Sequence, residues 1–340
     1  MINKKPFFIA EIGINHNGSL SLAKKLIDAA KKCGADAVKF QSFSNNTMNI
    51  EKVYKNKKAD FKFDNKIKNL EDIIHRITLT KKDHKILQSY CRKKKIIFFS
   101  TPLDKNWVDY LDKINVPIFK IASMDLNNPD ILSRVASKKK PIILSTGFSS
   151  ILEIYEAIET IKKINFSAKI YLLHCVSAYP PKNKNLNLKN IIMLKNTFNL
   201  EVGFSDHTIG VGACLASIAL GATVIEKHFT LNKKLMGWDH AISADPVELK
   251  TIIHEGKKIF SMLGSYNRNI SEQENNFKKN MRRSIVVNKF IPKGKIILRK
   301  DLTFKRPGTG IDVNKIDLVL KRIAKKSLKI DTILKFNHLK

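Results

Sequence analysis

Short apolar runs alternate with amphipathic stretches along most of this chain. Eight runs read as β-strands by their apolar, β-branched character: Pro6–Ile12, Ala37–Gln41, Ile96–Ser100, Ile118–Ile121, Pro141–Ser145, Lys169–His174, Glu201–Phe204 and Thr223–Ile225. Between them lie segments with helical spacing: Ser19–Lys32, Thr80–Lys94, Lys105–Lys113, Pro129–Ser137, Ser150–Ile164, Leu188–Thr197 and Gly210–Leu220. Pro246–Met262 follows the last strand. Ser19 and Thr80 are good N-cap residues, and Asp83 falls in the first turn after Thr80. Eight βα repeats predict an α/β fold, a (β/α)8 TIM barrel rather than an open doubly wound sheet. The first βα turn, Gly13-Ile14-Asn15-His16-Asn17-Gly18, lacks the glycine spacing of a dinucleotide site.

Two stretches break the rhythm. Residues 42–73 are polar and lysine-rich, with Tyr54, Phe61 and Phe63 among them. A connection of that length is expected to be a lid or rim over the barrel mouth. Beyond Gly264 the pattern changes again. Residues 265–281 are polar and read as a linker. Arg282–Val287 alternates as a strand, Pro292-Lys293-Gly294 makes a tight turn, and Leu302–Gly308 follows. The expected division is therefore a barrel over 1–264, a linker over 265–281 and a small β-rich domain over 282–340. The small domain is near the lower size limit for an independent core. It is expected to lean on the barrel or on a second protomer.

Composition adds exclusions. The 340 residues are 43% hydrophobic, enough for a real core. No apolar run reaches the roughly 18 residues of a membrane span. Met1–Pro6 leads straight into a strand without a signal peptide, so a cytoplasmic location is expected. Cys33, Cys91, Cys175 and Cys214 are scattered without metal or disulfide spacing and read as reduced thiols. The net charge of +32 comes mostly from lysine pairs and triplets spread along the chain. Arginine is scarce, and no aromatic residues are interleaved as stacking platforms, so specific nucleic-acid binding is not expected. A diffuse positive field also attracts anionic substrates.

Candidate chemistry sits at the strand ends, where barrels of this kind place their active sites. In order these ends carry Glu11, Asn15 and His16; Lys39 and Gln41; Ser100 and Thr101; Lys120, Ser123 and Asp125; Ser145 and Thr146; His174, Ser177 and Tyr179; Ser205, Asp206 and His207; Glu226, Lys227 and His228. Two histidines past adjacent strands, each beside a carboxylate, favour a divalent metal site over inert strand caps. Lys39 and Lys120 lie inside apolar runs, where a lysine needs an anionic partner. That partner is either a bound phosphate and carboxylate or an internal acid, such as Glu11 for Lys39.

These motifs together resemble the sialic acid (N-acetylneuraminate, or nonulosonate) synthase family. They are Ala10–Gly18, Val38–Gln41, Phe99–Pro102, Leu144–Gly147, His174-Cys175 with Tyr179-Pro180, Gly203–Thr208 and Ile225–Thr230. Arg283–Gly310, with Lys305-Arg306-Pro307-Gly308, resembles the antifreeze-like SAF domain of that family. The resemblance implies condensation of phosphoenolpyruvate with an open-chain N-acyl hexosamine, N-acetylmannosamine or a relative. The products would be a nine-carbon 2-keto acid and phosphate. It implies His207 and His228 as ligands of a divalent metal, Mn2+ before Mg2+ or Co2+. Glu11, Lys39 and Asp239 would be catalytic. Gln41, Thr101, Lys120, Ser123, Asp125, Ser145, Ser177, Tyr179 and Ser205 would bind substrate. Arg306 would reach the partner's sugar in a domain-swapped homodimer. Legionaminate or pseudaminate synthesis by the same chemistry is the near alternative. A pyruvate-using metal aldolase and a basic anion-binding module without catalysis are alternatives of other classes. Departures from the family pattern fall on the sugar side: Asp125, where a glutamate is common, Ser177, where an asparagine is common, and Trp238 and His240 around Asp239.

Overall fold

Each of the eight apolar runs forms a strand. They are β1 (Phe7–Gly13), β2 (Ala37–Ser42), β3 (Ile97–Pro102), β4 (Phe119–Ile121), β5 (Ile142–Ser145), β6 (Ile170–Cys175), β7 (Glu201–Asp206) and β8 (Val224–His228). The computed structural model describes residues 5–44 and 70–340. The strands form one sheet in the order β3-β2-β1-β8-β7-β6-β5-β4, every ladder parallel. Its two ends, β3 and β4, lie side by side and close the (β/α)8 barrel. Both faces of such strands are covered, which explains why they read as near-continuous apolar runs. Phe8, Phe40, Phe99, Phe119, Tyr171 and Phe204 are among the largest fully buried side chains.

The helices follow their expected signals. In α1 (Leu20–Cys33) the buried Ala23, Leu26, Ile27 and Ala30 fall on one stripe. Ser19 Oγ accepts from the Leu22 N–H at 3.2 Å, and the helix ends at Gly34, whose φ of 92° suits glycine. Thr80 and Asp83 form a reciprocal capping box at the start of the helix Lys81–Lys94. The short helix Leu70–Ile77 falls partly inside the stretch expected as a lid or rim. It tucks Ile73, Ile74 and Ile77 against Ile14 and Phe43, with Trp238 beside them. The rest of that expectation, including Tyr54, Phe61 and Phe63, lies outside the described residues. Further helices of the barrel unit are Lys105–Lys113, Pro129–Ala136, Ile151–Ile164, Asn190–Phe198, Gly212–Ala219 and Pro246–Leu263.

The chain divides into two units, Met1–Gly264 and Ser265–Lys340. The stretch expected as a linker contains a ten-residue exposed helix, Glu272–Met281. Ser271 caps it, with Glu272 and Glu274 in the first turn and Lys278 and Lys279 in the last, charges that suit the helix dipole. After it, β9 (Ser284–Val287) and β10 (Leu302–Lys305) pair antiparallel. Ile285, Val287, Ile291, Ile297, Leu302, Leu328 and Leu334 give this unit a core of its own.

Candidate active site

The alternation of side chains along each strand sorts its residues between the barrel interior and the surrounding helices. On β8, Glu226 and His228 face inward while Lys227 points outward. On β7, Ser205 faces inward with His207 just beyond it, while Asp206 points outward to ion-pair with Lys227 at 2.7 Å. Gly203 lets the two strands approach closely, since a Cβ there would lie 2.2 Å from the Val224 carbonyl oxygen.

One cavity at the strand ends gathers most of the expected residues. Glu11, Lys39, Gln41, Thr101, Lys120, Ser123, Ser145, Ser177, Tyr179, Ser205, His207 and His228 all line it. Its floor is a buried set of two ammonium and two carboxylate groups. Lys39 Nζ lies 2.8 Å from Glu11 Oε2 and 3.7 Å from Glu226 Oε1. It also donates to Thr101 Oγ1 at 3.1 Å. Lys120 Nζ donates to Ser145 Oγ at 2.7 Å and lies 3.8 Å from Glu226 Oε1. Ser205 Oγ donates to Glu226 Oε1 at 3.0 Å. Glu226 Oε2 is buried without a hydrogen-bond partner.

The internal acid and the anion-ready lysine are thus one arrangement. Lys39 pairs with Glu11 and still lines the cavity. Burial pushes the Glu11 carboxyl up to about 7, against the opposing pull of Lys39. Burial pulls Lys39 down, but Glu11 and Glu226 outweigh it and raise its pKa. Lys120 is lowered, chiefly by burial. Burial would raise Glu226, but the two lysines reverse this and lower it.

The two imidazoles stand together, ring centroids 5.4 Å apart, and Tyr179 packs 4.1 Å from the His207 ring. His207 Nδ1 bonds the Val176 carbonyl at 3.0 Å, an arrangement that leaves Nε2 bare for a ligand. His228 Nδ1 is buried without a hydrogen-bond partner and faces Asp239 Oδ2 at 3.5 Å. Burial holds His228 well below the ordinary histidine range, in the neutral form a metal requires. It also lifts Asp239 to about 6. Among the described residues, no three His, Cys, Asp or Glu side chains converge on one point. With Nε2 of His207 bare and His228 held neutral, the two imidazoles fit two ligand positions of a divalent metal, whose other positions would be open to water or substrate oxygen.

Other expected residues fall elsewhere. Asp239 touches His228 but is not among the cavity walls. Its carbonyl accepts from Ser243 Oγ, which in turn accepts from Asn15 Nδ2. Asp125 sits in the turn Ser123–Asp125, half-buried, while the exposed Met124 lines the cavity. Trp238 packs on the Ile73–Ile77 cluster, and His240 is buried against Thr230 Oγ1 at 2.7 Å, so neither forms the cavity wall. Arg306 lies in the second unit, where its Nε donates to the Met281 carbonyl at 2.8 Å. Two ionisable residues outside the expected catalytic, binding and metal-ligand sets also line the cavity. Glu226 was visible as a strand-end acid two positions before His228. Cys175 had been read as a reduced thiol and as part of the His174-Cys175 motif, without a role in the site.

Fold and cavity define a (β/α)8 barrel with a paired-lysine and paired-imidazole site at its strand ends. The chain belongs to the NeuB family, whose model matches residues 26–268, and carries a SAF domain over 282–340. It is 40% identical over 335 residues to the N,N'-diacetyllegionaminic acid synthase of Campylobacter jejuni, covering 98% of this chain and 99% of that one. It is 33% identical over 304 residues to the human N-acetylneuraminate-9-phosphate synthase, covering 88% and 82%. A solved structure, the N-acetylneuraminic acid synthetase of Leptospira borgpetersenii in complex with citrate, superposes with a TM-score of 0.72 at 35% identity. That match covers 81% of this chain and 90% of the other. No helix among the described residues is long and apolar enough to cross a membrane.

Proposed function

We propose that the protein condenses phosphoenolpyruvate with an open-chain N-acyl amino sugar, N-acetylmannosamine or a relative, giving a nine-carbon 2-keto acid and phosphate. The observation that carries this reading is the convergence of Lys39, Lys120, Thr101 and Ser145 on the cavity that also holds His207 and His228. Lys39 and Lys120 offset the charge of the phosphoenolpyruvate phosphate and carboxylate, and Thr101 and Ser145 orient their ammonium groups. Carbon 3 of phosphoenolpyruvate attacks the aldehyde carbon, water adds at carbon 2, and the C–O bond to phosphate breaks. His207 and His228 would hold a divalent metal, Mn2+ by family pattern, which supplies Lewis acidity at the sugar aldehyde. Glu11, with its carboxyl near neutrality and Gln41 Nε2 at 3.5 Å, takes or returns the proton that water addition requires.

The walls also bear on the acceptor. Among the described residues lining the cavity, Lys39 and Lys120 are the only lysine or arginine side chains, and both belong to the floor. Leu103, Ala122, Met124 and Phe148 are apolar. Those walls suit a deoxygenated, N-acylated acceptor of the legionaminate or pseudaminate type. Incubation with phosphoenolpyruvate, Mn2+ and a panel of N-acyl hexosamines tests the proposal. Release of phosphate with one of them is expected and should vanish in His207→Ala/His228→Ala while the fold persists. Release with none of them would sink the proposal. A pyruvate aldolase would instead consume pyruvate without releasing phosphate. A basic binding module would keep its salt-sensitive affinity in the double variant.

A further inference from the structure

Behind the two imidazoles, on the opposite face of the sheet, lies a buried ion pair. Asp206 and Lys227 are direct partners on a rung of the β7–β8 ladder. Each directly precedes a histidine, His207 and His228. Their side chains are 0% and 1% exposed, with Lys227 Nζ 2.7 Å from Asp206 Oδ2. Lys227 Nζ also donates to the Thr208 carbonyl. Asp206 Oδ1 accepts the Thr208 N–H at 2.8 Å, and Oδ2 accepts from Thr208 Oγ1 at 3.1 Å and Cys214 Sγ at 3.2 Å. The Asp206–Thr208 bond is an Asx-type turn that wraps the backbone around His207, which stands just past the end of β7. Lys227 ties that turn to the strand carrying His228.

Taking two full charges out of water is costly, and a buried pair of this kind is often replaceable by apolar residues without loss of stability. Stability alone therefore gives this pair no clear purpose, whereas fixing two flanking side chains does. We propose that Asp206 and Lys227 are positioning residues that set the relative placement of His207 and His228, and hence the affinity of the two-imidazole site for a divalent metal. This inference rests on the reading of those histidines as metal ligands.

The test titrates Mn2+ alone into the whole protein and follows loss of the free-ion paramagnetic resonance signal, with thermal unfolding of the metal-free protein in parallel. Asp206→Asn and Lys227→Met are each expected to weaken Mn2+ binding ten-fold or more. The apolar double variant Asp206→Leu/Lys227→Met is expected to recover thermal stability without recovering affinity. Single variants that bind Mn2+ as the wild type does would overturn the inference. So would a double variant that regains stability and affinity together, since the pair would then be purely structural. If the wild type and His207→Ala/His228→Ala bind Mn2+ alike, or neither binds, the metal reading itself fails, an outcome distinct from failure of the positioning role.

Discussion

Replacing Glu11 by glutamine removes a carboxyl that is 1% exposed and sits beside Lys39 at 2.8 Å. Burial, the largest influence on it, moves its pKa from the ordinary 4.5 to about 7. The folded protein therefore keeps a proton that the unfolded chain loses as pH rises above 4.5. Stability from this group is fully present below 4.5 and is lost as pH climbs through 7. A shift from 4.5 to about 7, at roughly 1.4 kcal/mol per pH unit, corresponds to an order-of-magnitude loss of about 3 kcal/mol. Glutamine cannot ionise, so Glu11→Gln should not show this loss. The variant also leaves Lys39 with only Glu226 as an ion-pair partner, at 3.7 Å, an offset in absolute stability. Both tryptophans, Trp107 and Trp238, lie in the barrel unit, so their fluorescence follows its urea unfolding. Between pH 4 and pH 8 the stability difference between wild type and variant should change by about 3 kcal/mol, with the wild type losing ground. A difference that stays constant over this range would refute the placement of Glu11 as a buried carboxyl titrating near neutrality.

Lys120→Met should raise the KM for phosphoenolpyruvate at least ten-fold while leaving Mn2+ binding nearly unchanged, because Lys120 pairs with Ser145 and Glu226 and not with the histidines; steady-state kinetics with Mn2+ titration checks both. Gly203→Ala should destabilise the barrel by a few kcal/mol, since the added Cβ would meet the Val224 carbonyl oxygen at 2.2 Å and the Val224 side chain at 2.7 Å; urea unfolding reads this directly, and a wild-type midpoint would contradict the close approach of β7 and β8.

The barrel was legible because strands buried on both faces leave near-continuous apolar runs, and because the helix caps at Ser19 and Thr80 carry a local hydrogen-bonding signal. Most of the cavity was legible for a related reason: polar residues such as Lys39 and Lys120 stand out inside apolar strands. What escaped depends on which way a side chain points or on contacts distant in sequence. Glu226 and Lys227 are neighbours in the chain, yet one lines the cavity and the other pairs behind it with Asp206. Counting alternate positions back from His228 separates them. Trp238 carries no local sign that it packs against the cluster of Ile14, Phe43, Ile73, Ile74 and Ile77, far earlier in the chain, in place of the cavity wall. The helices Leu70–Ile77 and Glu272–Met281 were masked by the polar composition around them. The first is held by three isoleucines facing Ile14 and Phe43, and the second by its cap and end charges.

The most direct test of the proposed function is phosphate release from phosphoenolpyruvate in the presence of Mn2+, with and without an open-chain N-acyl amino sugar. Release that requires the sugar, in step with a nine-carbon 2-keto acid, is the predicted result. Release that ignores the sugar, or none with any member of the panel, would contradict it.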